Sequence, residues 1–347
     1  MNVKPVIFDP QTAADADWQA LNVFDNVFRA ETWPDDPPKP LEQTIQDRRS
    51  VPSFVNVVQW VVWSDNHDEI WASANIGTLE TEHNRHLAEY WIGVVPTMRR
   101  RGIARQLLKD IARVAGERNR RLMIASTGSV VPAGKTFMER LGAKPGLESH
   151  VNQLNIADLD RDLMRDWQER AKERAVGYEL GMWIGPYPEA ELEAIKTMME
   201  VMNTAPRDDL DVEDFTWTVE QVRQMEESLA RRKVERWTAY IRHVESGELA
   251  GYTAVYWSPN HPEMLEQGDT GVVPQHRNKG LGRWLKAAMI EKVLQDRPQV
   301  AHVRTGNANS NVPMLRINHE MGFKPYRSWT VWQVELEKIN AYLANAD

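Results

Sequence analysis

The chain carries Gly93-Val94-Val95-Pro96-Thr97-Met98-Arg99-Arg100-Arg101-Gly102-Ile103-Ala104, and the pattern returns 178 residues later as Gly271-Val272-Val273-Pro274-Gln275-His276-Arg277-Asn278-Lys279-Gly280-Leu281-Gly282. Over the 17 positions that begin at Gly93 and Gly271, eight residues are identical. The displacement is about half of the 347-residue chain, and domains average roughly 150 residues. The repeat therefore predicts two copies of one domain.

Each copy runs from an apolar, strand-like stretch through a turn with arginine and glycine into a helix-patterned segment. The free main-chain N–H groups at a helix N-terminus bind anions such as phosphate. Small residues at Gly102 and Ala104, and again at Gly280 and Gly282, permit close approach of a ligand to the backbone. These features predict two anion-binding turns; an ordinary surface turn between strand and helix is the alternative.

The hydrophobic periodicity predicts the same order of elements in both halves, β-α-α-β-β-β-α-β-α-β, beginning with a strand at Val3–Phe8. This order is typical of an α/β fold with a mixed sheet. Charge alternates with sparse apolar positions over Ile156–Ala175, which predicts an exposed linker helix. We therefore expect domains at residues 1–154 and 178–347, joined by a linker at 155–177.

Composition excludes several classes of function. The chain has no cysteine, so a disulfide, a thiol nucleophile and a thiolate metal site are impossible. A net charge of −8 argues against nucleic acid and anionic membrane partners. The N-terminal residues lack an apolar leader, and we expect a cytoplasmic protein, monomeric or homodimeric, that needs no metal. His83 and His86 with Glu82 offer too few spaced ligands for a metal site.

Both turns resemble the pyrophosphate signature of the GNAT superfamily of acyl-CoA-dependent N-acyltransferases, in which Arg or Gln is followed by two residues, Gly, one residue, and Gly or Ala. The pattern fits Arg99 to Ala104 and Arg277 to Gly282. A second family motif, an Asn-bearing helix that ends in Leu-Gly-Phe, is similar to Asn309–Phe323, whereas the first half keeps only the tail, Phe137–Ala143. The chain thus resembles family members with two fused domains, each a mostly antiparallel mixed sheet flanked by helices.

The resemblance implies that acetyl-CoA is the co-substrate. In the first half it implies coenzyme contacts from Val94, Val95, Arg99, Arg100, Arg101, Gly102, Ile103 and Ala104. In the second half it implies contacts from Val272, Val273, Arg277, Asn278, Lys279, Gly280, Leu281, Gly282 and Asn311. It also implies that the strand before each turn separates from the next parallel strand to admit the pantetheine arm. Main-chain N–H groups near Val94 and Val272 would then face the thioester oxygen.

The resemblance also suggests catalytic residues. The family's base is often a Glu on the strand before the turn, and fourteen residues before Gly280 stands Glu266. The same count from Gly102 reaches Ala88, so Glu89 qualifies only if a bulge rotates that strand. Asp269 is a reserve candidate, and a solvent-facing carboxylate is the alternative for each. The family usually has a Tyr that acts as the general acid. Asn318 stands at that position, and we expect it to contact the sulfur of the coenzyme.

These observations predict an N-acetyltransferase that acts by direct transfer in a ternary complex, with the second half as the principal catalytic domain. Acidic loops at Asp35-Asp36 and between Asp208 and Asp214 suggest a small cationic amine as the substrate. A non-catalytic acyl-CoA-binding sensor or scaffold is the alternative, because the Tyr that acts as the family's general acid is missing.

Overall fold

The computed structural model describes residues 4–345, so the first residue of the predicted strand Val3–Phe8 lies outside the described part. The chain forms two compact units. Unit 1 contains residues Met1–Glu148, Arg207–Glu213 and Ser328–Asp347, and unit 2 contains Ser149–Pro206 and Asp214–Arg327.

Unit 1 begins with the elements of the first half in the predicted order. They are β1 (Val6–Ile7), α1 (Asp15–Thr32), α2 (Leu41–Arg49), β2 (Val55–Trp63), β3 (Ile70–Leu79), β4 (Leu87–Val94), α3 (Ile103–Glu117), β5 (Leu122–Gly128) and α4 (Pro132–Arg140). Strands β1 to β4 pair antiparallel in sequence order, and β4 pairs parallel with β5. Helix α3 buries Ile103, Leu107 and Ile111 against this sheet, as the spacing of three to four residues requires.

Unit 2 contains the corresponding elements. They are α5 (Arg161–Arg174), β7 (Tyr178–Ile184), α6 (Leu192–Met199), α7 (Val219–Arg231), β8 (Glu235–His243), β9 (Leu249–Trp257), β10 (Met264–Val272), α8 (Leu281–Asp296), β11 (His302–Ala308) and α9 (Val312–Met321). Strands β7 to β10 pair antiparallel, and β10 pairs parallel with β11. Each unit is therefore a mixed, mostly antiparallel sheet flanked by helices, which confirms the predicted fold class.

The last strand of each repeat completes the sheet of the other repeat. Strand β6 (Lys144–Asn155) pairs antiparallel with β11 in unit 2, from Ser149 to Asn155. Strand β12 (Lys324–Glu335) pairs antiparallel with β5 in unit 1, from Trp329 to Glu335. The helix that follows, α10 (Leu336–Ala344), packs on α3 of unit 1. The compact units thus exchange segments, whereas the predicted boundaries at 154 and 178 divide the chain continuously.

The segment predicted as an exposed linker helix belongs to the core of unit 2. Helix α5 packs on α8 and buries Met164, Trp167 and Ala171. Its sparse apolar positions recur at three- and four-residue intervals, which gives one apolar face and one charged face. Within residues 4–345, no helix has both the length and the apolar character needed to cross a membrane.

Candidate functional site

The two turns have the same backbone conformation. The φ angle is +65° at both Arg100 and Asn278, and it is +82° at Gly102 and +80° at Gly280. Both glycines occupy the N-cap position of the following helix, α3 or α8, in the left-handed conformation that glycine adopts without steric cost. The similarity of the two sequences therefore extends to the details of the backbone.

Each turn presents main-chain N–H groups at the start of its helix. The first helical hydrogen bonds run from Gln106 N–H to the Gly102 carbonyl and from Trp284 N–H to the Gly280 carbonyl, both at 3.1 Å. By helix geometry, the three preceding N–H groups have no acceptor within the helix. These groups belong to Ile103, Ala104 and Arg105 in unit 1, and to Leu281, Gly282 and Arg283 in unit 2. The side chains of Ile103 and Leu281 are buried, so only their main chain is available to a ligand.

The strand before each turn separates from its parallel neighbour. Parallel pairing of β4 with β5 ends at Glu89 and Ile124, and pairing of β10 with β11 ends at Glu266 and Arg304. The rest of β4 and β10 still pairs with the antiparallel neighbour. A wedge therefore opens between the parallel strands of each unit, as the resemblance implied.

At the ends of β4 and β10, two adjacent valines in each unit differ in where their main-chain N–H groups point. Val95 N–H donates to the Trp71 carbonyl at 3.0 Å, and Val273 N–H donates to the Ala250 carbonyl at 2.9 Å. Both groups are thus used by the neighbouring strand, which removes Val95 and Val273 as main-chain donors to a ligand. Successive residues of a strand point their N–H groups in opposite directions, so those of Val94 and Val272 point toward the wedge.

The arginines that begin the two signatures brace the turn instead of facing the helix N-terminus. Arg99 Nε donates to the Val94 carbonyl at 3.0 Å, and its guanidinium pairs with Glu31. Arg277 Nε donates to the Val272 carbonyl at 2.9 Å, and its Nη2 donates to Thr204 Oγ1 at 2.7 Å. The motif fixed the residue type but not the direction of the side chain. Of the other arginines, Arg101 donates to the Thr97 carbonyl at 3.3 Å.

Unit 2 has a cavity of about 450 Å³ that connects the turn with the wedge. Its walls include the turn and first residues of α8, the end of β10, the N-terminal part of α9, and the segment that follows α6. The lining residues among those predicted from the sequence are Val272, Arg277, Asn278, Gly280, Leu281, Gly282 and Asn311. Asn311 also caps α9, since its Oδ1 accepts a hydrogen bond from Met314 N–H at 3.4 Å. Lys279 lines a different cavity of unit 2, between α5 and α8.

The cavity found in the wedge of unit 1 is smaller, about 140 Å³. Aromatic side chains form much of its wall, and Phe28, Trp91 and Trp329 are among them. Trp91 packs edge-on against Phe28, with ring centroids 5.4 Å apart. Aromatic rings therefore line the wedge of unit 1, although the two turns have the same backbone.

A β-bulge in β10 sets the positions of the candidate carboxylates. The register with β9 shifts between Gln267 and Thr270, whereas the pairing of β4 with β3 has no shift. The extra residue places Glu266 and Asp269 on one face of β10, that of Tyr252 and Tyr256, although three residues separate them. Counting along the parallel pairs, Glu266 corresponds to Glu89 and not to Ala88. Counting fourteen residues back from the turn glycine therefore does not reach equivalent positions in the two repeats, because only the second repeat contains the extra residue of the bulge.

Asp269 has the more perturbed environment of the two carboxylates of unit 2. Tyr252 Oη donates to Asp269 Oδ2 at 3.2 Å. Although the residue keeps an exposed surface, the surrounding protein removes water from its carboxylate and raises its pKa. Desolvation also raises the pKa of Tyr256, to about 12. Glu266 is exposed.

Asn318 does not lie where the resemblance implied. The residue is 0% exposed, Asn318 Oδ1 accepts a hydrogen bond from Lys286 Nζ at 2.7 Å, and Asn318 Nδ2 donates to Asn307 Oδ1 at 2.7 Å. Its amide therefore holds protein groups and is not presented to a sulfur atom. Lys286, which sequence reasoning missed, is fully buried, and desolvation lowers its pKa to about 7. The sequence signal was a lysine at the position of the core residue Leu108 of the first repeat.

The acidic loop of the second half does not border the cavity of unit 2. Residues 207–213 belong to unit 1. There Asp211 pairs with Arg121 at 2.8 Å, and Glu213 Oε2 accepts a hydrogen bond from Asn84 N–H at 2.6 Å. These carboxylates fasten the loop, which weakens their predicted role in attracting a cationic substrate. Within residues 4–345, no group of three or more metal-ligating side chains is found.

The two turns and their wedges lie within segments that match the model of a known protein family. The model described as Acetyltransferase (GNAT) family matches residues 18–143 and again residues 198–323. The chain belongs to the GNAT family. It is a tandem member, and the family's members are acyltransferases that use acyl-CoA. Each match contains one turn and the wedge before it.

Comparison with solved structures supports the tandem fold. A tandem GNAT protein from the clavulanic acid biosynthesis pathway superimposes with a TM-score of 0.77 at 23% identity, over 96% of this chain and 99% of that chain. A GCN5-related N-acetyltransferase from Sphaerobacter thermophilus gives a TM-score of 0.66 at 14% identity, over 96% of both chains. At such identities the likeness shows the fold alone. The comparison with curated proteins gives no significant match.

Proposed function

We propose that this GNAT protein transfers an acetyl group from acetyl-CoA to the primary amine of a small substrate, and that unit 2 carries out the reaction. The observation that carries the proposal is the cavity of about 450 Å³, because it joins the first-turn amides of α8 to the open end of β10. The smaller cavity and its aromatic lining in unit 1 support a weaker or structural role for that unit.

The chain's own residues account for coenzyme binding. The N–H groups of Leu281, Gly282 and Arg283 have no acceptor within α8 and point out of its N-terminus, where a diphosphate would accept their hydrogen bonds. The N–H of Val272 faces the wedge and would donate to the thioester oxygen as negative charge develops on it. Asn311 lines the same cavity at the start of α9.

Asp269 is the better candidate for the general base. An amine substrate is protonated at neutral pH, with a pKa near ~10, and must lose a proton before it attacks. A carboxylate whose pKa is raised by desolvation accepts that proton more readily than an ordinary aspartate. Glu266 lies on the same face and is the second candidate. The protonated amine is itself cationic, so Asp269 would also attract it.

Asn318 is buried, so we assign protonation of the departing thiolate to solvent. A thiol with a pKa near ~8.5 is a tolerable leaving group without a dedicated acid. The proposed transfer is direct, because the chain has no cysteine to carry the acyl group as a thioester. Initial rates measured against both substrates should therefore give intersecting lines, whereas parallel lines would indicate an acyl-enzyme.

Release of free coenzyme tests the activity. The chain is incubated with acetyl-CoA and each of a panel of primary amines, and the thiol formed is detected with a disulfide reagent. The absence of cysteine removes background from the protein. Amine-dependent release supports the proposal. Binding of acetyl-CoA by calorimetry without release for any amine would support the sensor or scaffold, and absence of binding would overturn both.

A further inference from the structure

A chain of hydrogen bonds leads from the core of unit 2 to the wedge between β10 and β11. Lys286 Nζ donates to Asn318 Oδ1 at 2.7 Å, and Asn318 Nδ2 donates to Asn307 Oδ1 at 2.7 Å. Lys286 and Asn318 are buried, whereas Asn307 keeps part of its surface exposed. We call these three residues the amide relay. It begins at a buried amine and ends at a partly accessible amide.

The lysine sets the direction of the hydrogen bonds in the amide relay. A protonated lysine amine only donates, so Asn318 presents its oxygen to Lys286 and its N–H group to Asn307. A neutral lysine amine keeps two N–H groups and donates in the same way. Asn307 Oδ1 therefore accepts, and Asn152 Nδ2 lies 3.5 Å from the same oxygen. This leaves Asn307 Nδ2 as a donor, for which the described residues 4–345 provide no acceptor.

Asn307 lies in the wedge at the depth of the proposed base. The last parallel pair joins Glu266 of β10 to Arg304 of β11. Asp269 and Asn307 each follow that pair by three residues, so they stand at similar depth on the two strands that separate. Asp269 lies on the face of the sheet that carries Tyr252, whereas Asn307 lies on the face covered by α9. The two side chains thus reach the wedge from opposite faces.

Acetyl transfer requires groups on both sides of the thioester carbon. The amine nitrogen attacks this carbon and forms the new C–N bond, while its proton passes to Asp269. The C–S bond then breaks, and its electron pair leaves with the sulfur as a thiolate, which takes a proton from solvent. An N–H group next to the sulfur would stabilise the negative charge until that proton arrives.

We propose that Asn307 Nδ2 donates a hydrogen bond to the departing sulfur, and that Asn318 and Lys286 position it. This inference rests on the proposed function and adds a catalytic residue to it. The amide relay also strengthens the donor, because successive hydrogen bonds polarise one another. The contact with sulfur that the sequence assigned to Asn318 thus passes to the next side chain of the relay.

Unit 1 has no counterpart of the amide relay. The repeats can be aligned through the turn glycines, through the glycine that follows α4 or α9, and through the last parallel pairs. The equivalent residues of unit 1 are then Leu108, Met138 and Thr127. Thr127 Oγ1 accepts a hydrogen bond from Trp332 Nε1 at 2.8 Å. The relay therefore distinguishes the two repeats, in agreement with a reaction carried out by unit 2.

Calorimetry with coenzyme A and with S-methyl-coenzyme A tests this inference without turnover. Only coenzyme A has a thiol that ionises, with a pKa of ~8.5 when free. A donor to the thiolate lowers that pKa in the complex, so the affinity for coenzyme A relative to the thioether should rise between pH ~6 and pH ~9. We expect a rise of about tenfold or more, as for a hydrogen bond to a charged group.

Two variants remove the donor in different ways. Asn307→Asp keeps the oxygen that accepts from Asn318 but has no N–H group, and Asn307→Ala removes the amide. Both should lose the rise in relative affinity. Both should also lower kcat for acetyl transfer about tenfold to 100-fold, with KM for acetyl-CoA changed by less than about threefold. Lys286→Met should reduce the rise to less than about threefold, because the relay loses its first donor.

Thr127→Ala is the matched control, because it changes the equivalent position of unit 1. It should keep the rise in relative affinity and the kcat of the wild-type chain. Circular dichroism shows whether each variant is folded, and the nearly isosteric Asn307→Asp serves where Asn307→Ala does not fold.

The outcomes separate this inference from the function on which it rests. A constant affinity ratio in the wild-type chain, or a rise that persists in both Asn307 variants, would overturn the amide relay and leave the acetyl transfer intact. A full rise in Lys286→Met would overturn the positioning role of the lysine. Absence of binding for both ligands would instead remove the proposed function, and the relay with it.

Discussion

The glycines of the two turns form a matched pair for mutation. Gly102 and Gly280 have the same φ within 2° and no heavy atom within 4 Å of an added Cβ. Gly102→Glu and Gly280→Glu therefore impose equal backbone strain of about 1–3 kcal/mol, and each places a carboxylate at a helix N-terminus. We expect kcat/KM for acetyl transfer to fall about 100-fold or more in Gly280→Glu, because the carboxylate repels the diphosphate, and to fall by less than about threefold in Gly102→Glu.

Steady-state kinetics of the two variants, with circular dichroism to show that each is folded, measure this difference. Equal losses in both variants would contradict the assignment of the reaction to unit 2. The pair is informative because any effect of strain alone appears in both.

Asp269 predicts the acid limb of the pH profile. Its carboxylate must be ionised to accept a proton, and desolvation raises its pKa, so kcat/KM should fall on the acid side at a pH above the ordinary aspartate value of ~3.9. Asp269→Asn still accepts the hydrogen bond from Tyr252 and should lower kcat about 100-fold to 10,000-fold. It should also remove this limb. Glu266→Gln is the matched control and should keep the limb; if it loses the limb while Asp269→Asn keeps it, Glu266 is the base.

At the scale of single residues, the sequence predicted the main chain of the site better than its side chains. Gly280 and its neighbours line the cavity as the signature implied. The Arg277 guanidinium donates to the Val272 carbonyl and the Asn318 amide is buried against Lys286, because a motif specifies a residue type while packing decides where the side chain turns. Asp269 was only a reserve candidate, because its raised pKa comes from desolvation by the surrounding protein, which no spacing of residues shows.

At the scale of elements, helix α8 carries a lysine into the core. Lys286 is fully buried and its pKa is lowered to about 7 by desolvation, from 10.5. Between these two values the unfolded chain holds a proton that the folded chain lacks. The free energy of unfolding should therefore rise with pH from about 7 to about 10, by up to about 1.4 kcal/mol per pH unit. Below pH ~7 the free energy of unfolding no longer depends on the titration of Lys286, because the lysine is protonated in both states.

Lys286→Met should remove this slope. Its absolute stability is not diagnostic, since the change also leaves Asn318 Oδ1 without its donor, at a cost of about 1–3 kcal/mol. The difference in unfolding free energy between wild type and variant, measured at several pH values by hydrogen exchange of α8, cancels the titration of tyrosines present in both. A difference that does not change between pH 7 and pH 10 would show that Lys286 stays protonated in the folded chain.

The elements themselves were largely predictable, because their periodicity is strong. Both halves contain the predicted order of strands and helices up to α4 and α9. The bulge in β10 and helix α10 were not predicted. A bulge changes the pairing of one residue without altering the apolar pattern. Helix α10 has only nine residues and follows β12 directly, so its helical periodicity is too short to stand out from the strand before it.

At the scale of the whole molecule, the exchange of strands was beyond the reach of the sequence pattern. Alternating apolar residues identify β6 and β12 as strands, but they carry no information about the partner strand. The repeat itself favours the assumption that each half closes its own sheet. In the structure, residues from the end of the chain complete the core of unit 1, and residues before position 155 complete the core of unit 2.

Because of this exchange, a core mutation near the end of the chain should destabilise unit 1, and a core mutation in β6 should destabilise unit 2. Trp332 is 5% exposed in the core of unit 1, and Leu154 is 0% exposed in the core of unit 2. Trp332→Ala should cost about 3–5 kcal/mol and Leu154→Ala about 2–5 kcal/mol, because each leaves a cavity. Hydrogen exchange followed by mass spectrometry should show lost protection in β2 to β5 for Trp332→Ala, and in β8 to β11 for Leu154→Ala. Loss in the unit that contains the neighbouring sequence, β8 to β11 for Trp332→Ala, would mean that each half closes its own sheet in solution.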